Sequence, residues 1–136
     1  VLTGDGQIDD LEFLTRYPLK KLRVLKLDQF NLNGLNLEKI FVNMTKLEFV
    51  QLRSCQLREI PNLLHIQRLD LEKNQLTHLI HLSTSYIHLN LAQNAMTSII
   101  LQKNPYLMSL NLSQNHLNEF ISFPKLNENL KELDLS

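Results

Sequence analysis

The chain predicts an α/β fold of the repeat-solenoid class, a coil of short turns that each add one strand to a parallel sheet. Three observations predict it. Apolar residues recur with one local spacing, copies of that spacing follow one another at near-constant intervals, and apolar and polar residues alternate within each copy. The clearest copy is LMSLNLSQNHL, with apolar residues at Leu107, Leu110, Leu112 and Leu117 and Asn115 between the last two. A sustained period of about 20–25 residues marks a repeat architecture and outranks other signals in the sequence.

Taken in order, the stretch before Leu22 holds only a degraded trace of the pattern, in Val1, Thr3, Gly6 and Ile8. Residues 1–21 are therefore assigned to a degenerate repeat. The first clear copy runs through Leu22, Leu25, Leu27, Phe30 and Leu32, with Phe30 where Asn would stand. The second has Leu47, Val50, Leu52, Cys55 and Leu57, and the third Ile66, Leu69, Leu71, Asn74 and Leu76. Tyr86, Leu89, Leu91, Asn94 and Met96 form the fourth, followed by the copy at Leu107. A last copy opens at Leu130, Leu133 and Leu135 and is cut at Ser136. Successive copies start 25, 19, 20, 21 and 23 residues apart. Residues 22–136 thus make five complete repeats and one truncated one. Solenoids normally need polar capping repeats at both ends, and neither end shows one. The expectation is a single domain over 1–136, a fragment of a longer array.

Alternation such as Leu110–Asn111–Leu112–Ser113 places leucines on one face of a strand and polar residues on the other. Stacking coils buries each set of leucines against its neighbours, which a single copy cannot do. The return NGLNLEKIFVNMTKLE has helix-like apolar spacing and room for a short helix. REIPNLLH and THLIHLSTS have room only for extended or 3₁₀ segments. Asn74, Asn94 and Asn115 stand where the chain turns out of the strand, facing inward. A buried amide persists only when hydrogen-bonded, so these three should bond backbone groups of the loops as a structural ladder. Cys55 can partly substitute through its weak thiol donor. Phe30 cannot, so its turn must be satisfied differently.

These segments resemble leucine-rich repeats over roughly Leu22 to Ser136. The resemblance implies a horseshoe with a parallel β-sheet on the concave face and short helical, 3₁₀ or extended returns on the convex face. The irregular returns, with the FVNMTKL-like segment, are similar to secreted or receptor-ectodomain repeats of innate immunity, including Toll-like receptors and insect leucine-rich immune proteins. That likeness implies recognition of a protein or pathogen ligand, directly or through a paired subunit. Those families also carry cysteine-rich caps and sometimes coiled coils or membrane anchors, which this sequence does not show. The alternative is an intracellular scaffold or regulatory array that binds a cytosolic protein. A structural spacer within a larger receptor is a third reading.

With 14 basic and 14 acidic side chains the formal net charge is zero. That argues against nucleic acid or an anionic membrane as the main partner. No apolar run is long enough to span a bilayer. One cysteine excludes an internal disulfide, and its place at a strand turn makes it a structural thiol. Pro18, Pro61, Pro105 and Pro124 all fall outside the strand motifs, where they would remove ladder hydrogen bonds.

Catalytic chemistry is not supported, and no cofactor or metal is implied. His78 and His81 lie close together without Cys, Asp or Glu at a ligand spacing; His65, His88 and His116 are scattered. No nucleophile-elbow motif frames a serine. GDGQID, Gly4 to Asp9, resembles the start of a calcium loop but lacks its downstream ligands and reads as a turn. The outward strand positions are more informative: Val24, Lys26, Asp28; Phe49, Gln51, Arg53; Arg68, Asp70, Glu72; His88, Asn90, Ala92; Ser109, Asn111, Ser113. Equivalent positions on adjacent strands are neighbours about 4.8 Å apart. Asp28, Arg53 and Glu72 are then expected to form a charge-alternating row, with Phe49 exposed between Val24 and Arg68. Such a face is either a solvated sheet surface or a partner-binding patch of Val24, Phe49, Arg53, Arg68 and Glu72, since aromatics and Arg anchor interfaces. Two glycosylation sequons occur, Asn43-Met44-Thr45 on the long return and Asn111-Leu112-Ser113 inside a strand. The first lies where a glycan can project and favours an extracellular protein over a cytoplasmic one.

Overall fold

The computed structural model describes residues 2–3, 11, 14, 16–17, 19–78, 84–99, 104–118 and 128–136. Its strands are β1 (Leu2–Thr3), β2 (Val24–Asp28), β3 (Phe49–Gln51), β4 (Arg68–Asp70), β5 (His88–Asn90), β6 (Ser109–Asn111) and β7 (Glu132–Asp134). They form one seven-stranded sheet in chain order, and every neighbouring pair is parallel. The register advances by one repeat per strand: Leu25, Val50, Leu69, Leu89, Leu110 and Leu133 lie side by side. The architecture is a parallel-strand β-solenoid.

The core follows from the alternation. Leu27, Leu52, Leu71, Leu91 and Leu112 are fully buried, and the row from Leu25 to Leu110 is buried beside them. Each such leucine contributes roughly 1.5–3 kcal/mol by leaving water. The last coil differs, since Leu133 and Leu135 remain 41% and 47% exposed.

Among the described residues the returns are sparing in helix. The longest holds α1 (Leu37–Phe41), which starts where the Asn36 side chain accepts from the Lys39 amide at 2.8 Å. That cap satisfies one of the first-turn donors, and Leu37 and Phe41 turn into the core. Residues 58–67, by contrast, run without helix. Residues 79–83 of the THLIHLSTS return, with His81, lie outside the described residues, as do Pro18, Pro124 and the Gly4–Asp9 segment.

Two backbone devices hold the coils in step. Gln29, Ser54, Lys73, Gln93 and Gln114 each sit just after the outward strand residues with φ between 54° and 66°. Each of their amides donates to the carbonyl of the following coil, as Lys73 does to Ala92 at 3.1 Å and Gln93 to Ser113 at 2.9 Å. None of these left-handed residues is glycine, although that conformation is unfavourable for a residue with a Cβ. The inter-coil hydrogen bonds hold it in place.

The Asn ladder is the second device. Asn74 Oδ1 accepts from the amides of Cys55 and Leu57, both at 3.0 Å, while its Nδ2 donates to the Leu52 and Leu71 carbonyls at 2.8 Å. Asn94 accepts from Leu76 N and donates to the carbonyls of Leu71, Leu91 and Ala92. Asn115 accepts from Met96 N and donates to the carbonyls of Leu91 and Leu112. Cys55 reproduces only the donor half: its Sγ donates to Leu27 O at 3.1 Å and Arg53 O at 3.3 Å. With no amide oxygen there, Leu32 N turns to the Cys55 backbone carbonyl at 3.0 Å. Phe30 fills its own slot as a buried apolar side chain.

Candidate functional site

The sheet's outward face carries the partner-patch candidates. Because the register is one-to-one, Val24, Phe49, Arg68, His88, Ser109 and Glu132 form a first row across the strands. Lys26, Gln51, Asp70, Asn90, Asn111 and Asp134 form the second. Asp28, Arg53 and Glu72 follow one residue beyond the core leucines.

The first row is the more open one. Val24 is 48% exposed, Arg68 is exposed, and His88 is half-buried. Phe49 is half-buried rather than fully exposed. The Lys26 ammonium lies over it, 5.4 Å from the Phe49 ring centroid. A cation–π contact of this kind contributes about 0.5–1 kcal/mol when exposed.

The charge row is rearranged relative to simple lateral pairing. Arg53 does not contact Asp28 through its guanidinium. It donates instead to Asp70 Oδ2 from Nε at 2.9 Å and from Nη2 at 2.6 Å, and its Nη2 lies 3.4 Å from Glu72 Oε2. Asp28 accepts from Gln51 Nε2 at 2.8 and 3.0 Å and from the Arg53 amide at 3.3 Å. Asn90 Nδ2 closes the network, donating to Asp70 Oδ1 at 3.2 Å and Glu72 Oε2 at 3.4 Å. Hydrogen bonding to Asp70 holds the Arg53 guanidinium above its ordinary pKa. Two carboxyl groups, of Asp70 and Glu72, therefore meet one guanidinium, Asp28 is held beside them by Gln51 and the Arg53 amide, and Asn90 supplies the remaining donor. Arg53 keeps 42% of its side chain exposed, whereas Asp70 and Glu72 keep 10% and 19%.

Asp28, Gln51, Asp70 and Asn90 were not singled out from the sequence as site residues. A local signal for two of them is present. Asp70, Asn90, Asn111 and Asp134 each accept the amide of the residue two positions on, at 3.1, 3.1, 2.9 and 3.0 Å. An Asp or Asn at the middle outward position of four successive repeats is the mark of such Asx turns. This column ends each strand and aims Asp70 and Asn90 into the network.

Below the network Cys55 is buried, and burial pushes its thiol up to about 11. A thiol so protonated is a poor nucleophile. Tyr86, also fully buried, donates its hydroxyl to Pro61 O at 2.7 Å and accepts from Leu63 N at 3.1 Å, which pins the short return. Among the described residues no group of three or more His, Cys, Asp or Glu is placed to hold a metal ion. Nor is any helix there long and apolar enough to cross a membrane.

The two sequons fall in different surroundings. Asn43 and Thr45 are exposed on the return after α1, with Met44 buried between them. Asn111 is half-buried within β6, and its Oδ1 accepts both the amide and the hydroxyl of Ser113. No protein-family model matches the chain, and a search of curated proteins finds no match.

Proposed function

We propose that the chain is a leucine-rich repeat array whose concave sheet face recognises a protein, as part of a secreted or receptor ectodomain of the innate-immunity kind. The observation that carries the reading is the composition of the outward face over β2–β5. An apolar and basic row, with Val24 and Arg68 exposed and Phe49 half-buried, runs beside the Arg53–Asp70–Glu72 network. Fixed charges next to a partly covered aromatic suit a specific protein surface, because little side-chain freedom is lost on binding. The exposed sequon at Asn43 supports the extracellular placement, since a glycan there leaves the sheet face clear. Cys55 does not favour the intracellular alternative: a thiol buried and bonded to Leu27 O is inert in either compartment.

The test is direct. A photo-crosslinking residue at position 68 captures the partner from native fluid, and the purified partner is titrated against Phe49→Ala and Arg53→Ala. The reading expects each substitution to weaken binding by at least about tenfold, the level of an interface hot spot. Unchanged affinity for both would leave the chain as a spacer.

A further inference from the structure

Along the return that holds α1 lies a groove of about 640 Å³, with Leu14, Tyr17, Ile40, Val42 and Met44 in its wall. Asn43 is also part of that wall. Tyr17 and Val42 are 63% and 65% exposed, among the most exposed large apolar side chains described. Asn36 and Lys39 add polar groups to the rim. The volume lies within the range of about 300–1,000 Å³ that holds small ligands.

A sequon asparagine in the wall of an apolar groove has a specific consequence. We propose that the groove is the seat of an N-glycan carried by Asn43, with the first sugar ring packed on the Tyr17 phenol ring. This rests on the extracellular part of the function proposed above. In the modification, the Asn43 amide nitrogen loses a proton and bonds to C1 of the first N-acetylglucosamine. The lipid pyrophosphate of the donor oligosaccharide is the leaving group. The exposed Thr45 supplies the hydroxyl that the acceptor sequon requires. The axial C–H groups of a pyranose present an apolar face, which fits a tyrosine ring that has an apolar body and a wet hydroxyl tip. Val42 extends that apolar floor, and Lys39 and Asn36, also in the wall, supply polar side chains for sugar hydroxyls. The glycan thereby covers apolar surface that is otherwise in water, and it does so away from the sheet face.

The experiment uses the full chain, expressed behind a secretion signal in a eukaryotic host and trimmed to the first sugar. The proposal expects Asn43 to be occupied and the trimmed glycoform to melt about 2–4 °C above Thr45→Ala, which lacks the sequon but keeps Asn43. Tyr17→Ser should abolish most of that gain. Nuclear Overhauser contacts should connect the sugar ring protons to the Tyr17 ring. An exported chain with bare Asn43 overturns the proposal. So does an occupied Asn43 whose stabilisation survives Tyr17→Ser without ring contacts. If the glycan packs on Tyr17 in this host but protein from its native source carries none, the extracellular reading fails and the fit of the groove stands.

Discussion

The first two clear coils and the later coils build the same backbone from different side chains. Around Asn94 and Asn115 one amide group bonds carbonyls of two coils (Leu71, Leu91 and Ala92 for Asn94; Leu91, Leu112 and Ser113 for Asn115) and accepts one amide. Around Phe30 and Cys55 a thiol supplies only donation, and a backbone carbonyl supplies the missing acceptor for Leu32. The outer faces diverge in parallel. Over β2–β4 the face holds Lys26, Asp28, Arg53, Arg68, Asp70 and Glu72, whereas β5 and β6 offer His88, Ser109 and amides. The ladder and the surface are thus separable. A solenoid can relax its internal amide column where backbone groups take over, while the strand register that presents the outward face stays unchanged.

The largest expected effect breaks the ladder where it is complete. Asn94→Ala leaves Leu76 N without its partner and takes one of two donors from each of the Leu71, Leu91 and Ala92 carbonyls, and should lower unfolding free energy by roughly 2–3 kcal/mol. Cys55→Ala, in the relaxed coil, should lose only about 1–2 kcal/mol, because the thiol bonds are weaker and the amides nearby are otherwise satisfied. Urea denaturation of both variants tests the ordering, and equal losses would remove the distinction between the two regions. Tyr86→Phe should come next at roughly 1–2 kcal/mol, since Pro61 O and Leu63 N lose their shared hydroxyl.

The Cys55 thiol sharpens the comparison through pH. Its pKa in the folded chain is about 11 against an ordinary value of 9.0. The folded state therefore holds this proton more tightly than the unfolded state does. Its contribution to stability is fully present below pH 9 and is lost as pH rises from about 9 to 11. Cys55→Ala should flatten that decline. Disulfide reagents at pH 8 should label the native thiol far more slowly than the urea-unfolded one.

The smallest effects concern the left-handed column. Gln93, at φ 55°, accepts glycine without steric strain. Gln93→Gly should change stability by less than about 1 kcal/mol, the relief being offset by unfolded-state entropy. Gln93→Val should destabilise by about 1–2 kcal/mol, because a β-branched side chain is poorly suited to that conformation. Thermal melts of the pair separate the outcomes.

Much of the fold was legible because the repeat spacing constrains backbone geometry directly. The leucines at the two core positions of each strand had to face inward, and the parallel stack follows from equal strands at equal intervals. The long return was readable as helical from its apolar spacing, and α1 spans Leu37–Phe41. The candidate site was less legible. Arg53, on a flexible stem, reaches either its lateral neighbour or a diagonal one, and spacing alone does not choose. It takes Asp70, because Asp28 is already engaged by Gln51. Phe49 was placed on the outer face, but its covering by Lys26 depends on a rotamer that alternation does not encode. The left-handed residues were invisible for a different reason: Ser, Lys and Gln have no preference for the left-handed region, and the inter-coil hydrogen bonds hold that conformation.

Hydrogen–deuterium exchange of the full chain, with and without its captured partner, tests the proposed binding face most directly. The account predicts added protection over residues 49–53 and 68–72 and no change over 109–113. Protection confined to 109–113, or to the return around α1, would contradict it.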